Sequence, residues 1–307
     1  MDEFALIRRY FQRPAAVEGI RIGIGDDAAV LTPPAGHELA ISSDTLIAGR
    51  HFPPDTPPTD IGWKALAVNL SDLAAMGAQP AAFLLNLSLP AADESFLKGF
   101  ASGLFELADR HRVALAGGDT TRGALSISIT ALGWLPAGQA LQRSGARPGD
   151  VVCVFGELGA PALALEHWPG GDSGARQRLL RPEPQVALGQ RLLGHASACI
   201  DISDGLAADL AHILEASGCG ARVAQDALPV AAALRDLPVA EQLNLMLHGG
   251  DEYLLCATLS EDALVALQAG DAGPVFPIGR IEGVPGMRLE DATGKIRTLS
   301  ADGYRHF

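Results

Sequence analysis

The sequence predicts an α+β protein built from two domains. Three observations lead there. Segments of strand and helix character are mixed along the 307 residues without the strict β-α-β alternation of a doubly wound sheet. The length exceeds what one core commonly serves, so two domains are expected. A Gly/Pro-punctuated stretch near the middle reads as a connector. The N-terminal domain is therefore set at 1–137, the connector at 138–150 and the C-terminal domain at 151–307.

The elements follow in order. Phe4, Leu6, Ile7, Tyr10 and Phe11 fall at helical spacing, with Asp2 and Glu3 ahead of them. Strands are expected at Ile20–Ile24 and Ala28–Leu31, the second ended by Pro33-Pro34. A third, Glu38–Ser42, should deliver Ser42, Ser43 and Asp44 at its end. After a proline-rich loop that opens near His51, Thr59 should cap a long helix over Asp60–Met76. That helix is apolar nearly all round, which predicts burial, with Asn69 the expected neighbour of Asp72 one turn away. Strand Phe83–Leu89, helix Asp93–His111, strand Val113–Ala116 and strand Leu125–Leu135 complete the first domain. In the second, strands are expected at Val151–Phe155, Cys199–Ile202, Tyr253–Thr258, Val275–Ile281 and Met287–Glu290. Helices are expected at Leu163–His167, Gln185–His195, Gly205–Ser217 and Glu261–Gln268.

The totals exclude several classes. A formal charge of −13 argues against nucleic acid or an anionic membrane as partner. No apolar run reaches membrane-spanning length, and the N-terminus does not read as a signal peptide. The four cysteines are far apart with no C-x-x-C pair, which suits buried thiols in a reducing cytoplasm rather than a zinc site. Gly23-x-Gly25-x-x-Ala28 loosely matches a dinucleotide fingerprint. Pro33-Pro34, however, leaves no room for the helix that must hold the pyrophosphate. There is no G-x-x-x-x-G-K-[ST], no metalloprotease His pair and no G-x-S-x-G.

What remains is a recurring acidic device. Ile22-Gly-Ile-Gly-Asp-Asp-Ala-Ala-Val30 sets Asp26 and Asp27 side by side between apolar residues. Two carboxylates about 5 Å apart repel by roughly 3 kcal/mol at an effective dielectric near 20. Burial would add several kcal/mol more. Similar acids stand in Ser42-Ser-Asp-Thr45, Asn69-Leu-Ser-Asp72, Gly117-Gly-Asp-Thr-Thr-Arg122, Asp201-Ile-Ser-Asp-Gly205 and Gly249-Gly-Asp-Glu252. The expectation is that they converge around several divalent cations. Hard oxygen donors suit Mg²⁺, which joins carboxylates to phosphates, and the paired glycines let backbone amides approach phosphate oxygens. An acidic protein without a Walker lysine would then bind ATP chiefly through metal.

These segments also resemble a family. Gly25-Asp-Asp-Ala28, Ala40-Ile-Ser-Ser-Asp-Thr45, Lys64-Ala-Leu-Ala-Val-Asn-Leu-Ser-Asp-Leu-Ala-Ala-Met-Gly77, Gly117-Gly-Asp-Thr-Thr-Arg-Gly123, Arg143-Ser-Gly145 and Asp201-Ile-Ser-Asp-Gly-Leu206 look like the signature of the thiamine-monophosphate kinases. That family sits in the superfamily of aminoimidazole ribonucleotide synthetase. The likeness runs from Phe4 to the Gly303-Tyr-Arg-His-Phe307 tail. It implies a two-domain PurM-like fold and a homodimer paired through its N-terminal sheets. It also implies ATP-dependent conversion of thiamine monophosphate to thiamine diphosphate. By motif match, Asp27, Ser42, Ser43, Asp44, Asp72, Asp119, Asp201 and Asp204 would hold Mg²⁺, and of these Asp27, Asp44, Asp72, Asp119 and Asp204 would carry the catalysis. Gly118, Asp119, Arg143 and Ser203 would contact the nucleotide, and His51, Asp251 and Tyr304 the thiamine phosphate. Where the family usually has Gly-Gly-Glu-Asp-Tyr, this chain has Gly249-Gly-Asp-Glu-Tyr253 with the acids exchanged. The alternatives are another ATP-using synthetase of the superfamily and a metal- and nucleotide-binding regulator without turnover. Selenide chemistry would favour a reactive cysteine near the N-terminus, and the first here is Cys153.

Overall fold

A computed structural model of the chain describes residues 3–13, 19–270 and 273–304. Asp2 and the tail residues Arg305–Phe307 lie outside the described residues. The chain forms two compact units, one of Met1–Leu73 with Ala78–Gly138, the other of Ala74–Gly77 with Gln139–Phe307.

The first unit contains α1 (Glu3–Tyr10), β1 (Ile20–Ile22), β2 (Val30–Leu31), β3 (His37–Ile47), α2 (Pro58–Ala75), β4 (Gln79–Leu89), α3 (Glu94–His111), β5 (Ala114–Arg122) and β6 (Ser126–Pro136). Strands β1 and β2 pair as a small hairpin, Ile20 opposite Leu31, so the acidic stretch becomes the hairpin's loop. The other four make a sheet in the order β3-β6-β4-β5, antiparallel except for the parallel β4–β5 pair. Residues of one strand alternate between two faces. Leu85, Leu87, Ile127 and Ile129 are buried on one face, while Leu39, Ile41 and Ile47 are exposed on the other.

The buried face lies toward the helices. As the lack of a polar face implied, α2 is buried at every position from Ile61 to Ser71, Lys64 included. It runs hard against α3: a Cβ on Gly62 would stand 2.0 Å from the Phe100 carbonyl oxygen, and one on Gly103 1.7 Å from that of Thr59. Helix α2 starts at Pro58, two residues earlier than a Thr59 cap required; proline suits the first helical residue, where no N–H is needed. Strand β3 runs on to Ile47, so Ser42–Asp44 sit in mid-strand and not at its end. Strand β5 likewise continues through Gly117-Gly118-Asp119 to Arg122.

The second unit contains β7 (Val151–Val154), α4 (Ala160–Glu166), α5 (Ser173–Leu180), α6 (Val186–Leu192), β8 (Ala196–Ile202), α7 (Leu206–Ser217), β9 (Gly220–Ala224), α8 (Val239–His248), β10 (Leu254–Leu259), α9 (Glu261–Ala269), β11 (Phe276–Glu282), β12 (Gly286–Glu290) and β13 (Ile296–Thr298). Its sheet has the order β13-β12-β9-β11-β7-β10-β8, with only β9 and β12 parallel. Val152, Val154, Ile200 and Cys256 pack with Leu206, Leu210 and Ile213 of α7 in its core. All four cysteines are free and buried. Helices α5 and α8 and strands β9 and β13 had no counterpart in the sequence reading. Among the described residues, no helix is long and apolar enough to cross a membrane.

Candidate active site

In the first unit, Ser42 and Asp44 point from β3 toward α2. The Ser42 hydroxyl donates to Asp72, and the Asp44 backbone N–H donates to Asn69 Oδ1 at 3.1 Å. Asn69 Nδ2 in turn donates to the Ala65 carbonyl at 3.0 Å, one turn back. Asn69 therefore fastens β3 to α2 and serves Asp44, not Asp72 as its spacing suggested. Burial, then the neighbouring Asp72 carboxylate, push the Asp44 carboxyl up to about 7. Two acids held this close favour a cation between them. Ser43 faces the other way, bonded to Thr130 Oγ1 at 3.0 Å and to the Ile129 carbonyl at 3.2 Å, so its hydroxyl stays outside this group.

A second acidic group lines a groove of about 950 Å³ under the β1–β2 loop. Asp26, Asp27 and Asp119 line it together with Gly117, Gly118 and Arg8. Asp26 and Asp27 are exposed, so the burial cost inferred from their apolar flanks does not arise: the loop stands outside the two short strands. Asp26 Oδ1 accepts the Asp27 N–H at 2.9 Å.

The expectation of one shared cradle needs correction. Across the sheet, Asp44 lines up with Ile129, Leu85 and Gly118, while Asp119 lines up with Asn86, Ser128 and Thr45. The two aspartates thus lie on opposite edge strands, roughly 14 Å apart at three strand spacings, and on rungs of opposite face. Within the first unit the acids therefore form two groups. Among the described residues, no group of three or more His, Cys, Asp or Glu side chains is arranged to hold a metal ion. The donor set around Asp44 still fits magnesium: two carboxylates and a hydroxyl, all hard oxygens. His51 Nδ1 accepts the Ile47 N–H at 3.0 Å, at the far end of β3 from Ser42 and Asp44.

In the second unit, Asp201 is buried near the end of β8, and Ser203 and Asp204 form a loop that leads into α7. That loop is held from below by Asp209, which the sequence reading missed. Its buried carboxylate accepts the N–H groups of Ser203 at 2.9 Å and Asp204 at 3.0 Å, and burial pushes it up to about 7 against those hydrogen bonds. An acid in the first turn of a helix, among Leu206, Ala207, Ala208 and Leu210, was the available signal. Tyr304 docks its N–H on the Asp204 carbonyl at 3.1 Å, and His248 Nδ1 meets the Asp302 carbonyl at 2.8 Å, so the tail lies along this loop. Arg143 is exposed; its carbonyl accepts the Ser217 hydroxyl at 3.4 Å.

The exchanged acids divide their work. Glu252 is buried: one carboxyl oxygen accepts the Gly159 N–H, and the other takes Arg178 Nη2 at 2.8 Å. Asp251 is half-buried and accepts the Tyr253 hydroxyl at 3.1 Å, which leaves Asp251 as the acid presented outward. Burial outweighs Arg178 and Gly159 and lifts Glu252 from 4.5 to about 7. An acid raised in the fold stabilises it below the unfolded pKa, and that stability is lost as pH rises toward the folded value. Ionising Glu252 in place therefore costs about 3 kcal/mol. Urea denaturation should show stability falling from pH 5 to pH 8, with a shallower fall in Glu252→Gln; parallel slopes for the two proteins would contradict this.

Comparison with known proteins places these features in context. Residues 25–135 match the family model "AIR synthase related protein, N-terminal domain", and residues 147–292 match "AIR synthase related protein, C-terminal domain". The chain is 47% identical to thiamine-monophosphate kinase of Salmonella typhimurium over 99% of its own length and 98% of the relative's. It is 36% identical to that of Bacillus subtilis over the full length of both. Its fold is similar to the crystal structure of thiamine-monophosphate kinase from Stenotrophomonas maltophilia, with a TM-score of 0.87 at 47% identity over 94% of this chain and 96% of that one. A structure described as AaThiL complexed with AMPPCP and TMP matches with a TM-score of 0.79 at 29% identity, covering 92% of each chain.

Proposed function

The chain belongs to the thiamine-monophosphate kinase family of AIR synthase related proteins, and on that premise we propose that it transfers the γ-phosphate of ATP to thiamine monophosphate, giving thiamine diphosphate. The observation that carries the chemistry is the Asp44–Asp72 pair, aimed by Ser42 and Asn69 at the junction of β3 and α2. A pair of like charges, with Ser42 donating to Asp72 and Asn69 accepting the Asp44 N–H, suits a magnesium ion. The loop acids Asp27 and Asp119 supply a second oxygen set in the Gly117-Gly118 groove, and Asp201 and Asp204 a third. Magnesium, when bound, neutralises phosphate charge and aligns donor with acceptor.

The rest of the work falls to the chain itself. Phosphoryl transfer needs positioning and charge neutralisation more than covalent help. The acceptor is a phosphate monoester, mostly ionised near neutral pH, and needs no general base. That suits a site built of aspartates. Gly118, Arg143 and Ser203 would position the nucleotide, and His51, Asp251 and Tyr304 the acceptor. Transfer would be direct and in line, with no phosphoenzyme. The exposed Leu39, Ile41 and Ile47 on the open face of the first sheet support pairing of two copies there, with the N-terminal domain as dimerisation and ATP/Mg²⁺ domain. Four buried, unpaired thiols suit work in the cytoplasm.

Incubation with Mg²⁺-ATP and thiamine monophosphate should yield thiamine diphosphate and ADP, with no product from unphosphorylated thiamine. With ATP made chiral at the γ-phosphorus, the product should show inversion. Retention would replace the direct transfer with a phosphoenzyme route, and absence of product would remove the assignment itself.

A further inference from the structure

The turn that precedes β10 is strained at two residues. Asp251 has φ 64° and Tyr253 φ 51°, the left-handed region that side chains other than glycine rarely occupy. Such backbone persists only where its surroundings over-determine it. Here four contacts do so. The Asp251 N–H donates to the Ser203 carbonyl and the Tyr253 N–H to the Ile202 carbonyl, each at 2.8 Å, so both strained residues are pinned to the end of β8. Between them, the Glu252 side chain turns inward and is 1% exposed. It is gripped there by the Gly159 N–H and by Arg178 Nη2. The same Nη2 donates to the Glu157 carbonyl at 2.6 Å, so Arg178 of α5 ties the β7–α4 loop and the turn together.

The direction of Glu252 decides that of its neighbours. With residue 252 drawn inward, Asp251 and Tyr253 emerge outward, close enough for the tyrosine hydroxyl to reach the aspartate at 3.1 Å. We propose that Arg178 and Glu252 are a positioning pair that locks the turn Gly249–Tyr253 in the conformation presenting Asp251, and thereby sets how tightly the phosphoryl acceptor binds. The proposal rests on the functional reading above in one respect, that Asp251 meets the acceptor. Arg178 itself stands behind the turn and reaches the acceptor only through it.

The test uses Arg178→Gln in the full chain. KM for thiamine monophosphate should rise about tenfold, while kcat and KM for ATP stay within about threefold. Arg178→Lys should recover most of the loss, since one cationic donor made both contacts. In an Asp251→Asn background, Arg178→Gln should change the acceptor KM less than about twofold, because residues acting through one another are not additive. Independently of turnover, amide exchange at Asp251 and Tyr253 should quicken about tenfold in Arg178→Gln as the turn loosens. Unchanged exchange, an unmoved acceptor KM, additive effects in the double variant, or an equal loss in kcat and both KM values would each overturn the pairing. A wild-type protein inactive toward thiamine monophosphate would instead overturn the functional reading, and the exchange measurement would then decide the pair alone.

Discussion

Asp72→Asn is expected to lower kcat by a factor of about 10³ or more, roughly 4 kcal/mol of transition-state stabilisation, while the fold survives. The asparagine carbonyl oxygen can still accept the Ser42 hydroxyl, so that contact is kept. What goes is one of two like charges. In the wild type, burial and the Asp72 charge raise Asp44 to about 7, so the folded chain loses stability as pH climbs from about 4 toward that value. Removing the Asp72 charge lets Asp44 ionise more easily. The metal-free variant should therefore melt at pH 8 no lower than wild type. The gain in melting temperature that Mg²⁺ gives the wild type should shrink in the variant. An inactive, equally stable, magnesium-blind protein is the expected signature. Turnover within tenfold of wild type would remove Asp72 from the metal site.

The sequence made the buried helix and its acid legible because both are local facts. Nothing polar interrupts the faces of α2 from Ile61 to Val68 except Lys64, and a helix of that kind has to be covered. The Gly-Gly-Asp, Ser-Asp and Asp-Asp motifs were legible for the same reason: each is a few residues long. What the sequence did not carry was register. Whether Asp44 and Asp119 share a face depends on where β6 and β4 set their hydrogen bonds, and a one-residue slip reverses every side chain. Local spacing suggested one cradle, and the pairing separates the acids of the first unit into two groups. The supports of the second unit were hidden by distance along the chain. Arg178 meets Glu252 across 74 residues and Glu157 across 21, and no short pattern announces either contact. Strands β3 and β5 were expected to stop at their acids, because Asp and Gly are poor strand residues; pairing with β6 and β4 carried them through.

Gly118→Ala is the substitution expected to cost the fold most. Gly118 has φ 138°, which an L side chain hardly tolerates, and its added Cβ would stand 1.9 Å from the Leu85 carbonyl oxygen and 2.7 Å from the Leu85 nitrogen. Leu85 is the residue paired with Gly118 in the parallel β4–β5 ladder, so the obstacle is backbone on both sides and cannot swing away. Backbone strain and overpacking each cost about 1–3 kcal/mol, and together roughly 3–5 kcal/mol. That corresponds to a fall of about 10 °C in melting temperature for a protein of this size. Activity should fall further than stability alone explains, because Asp119 is the next residue and would move with the strand. A displacement near 1 Å at such a group costs about a hundredfold. Gly117→Ala is the matched control. Its Cβ would meet only the Leu84 Cδ2 at 3.5 Å, an ordinary contact, and its φ is not in the left-handed region. Thermal melts of the two variants should therefore differ by most of that 10 °C. If they melt alike, the strain at Gly118 is not what keeps the Asp119 edge in place, and the case for a backbone-built phosphate groove beside it fails with it.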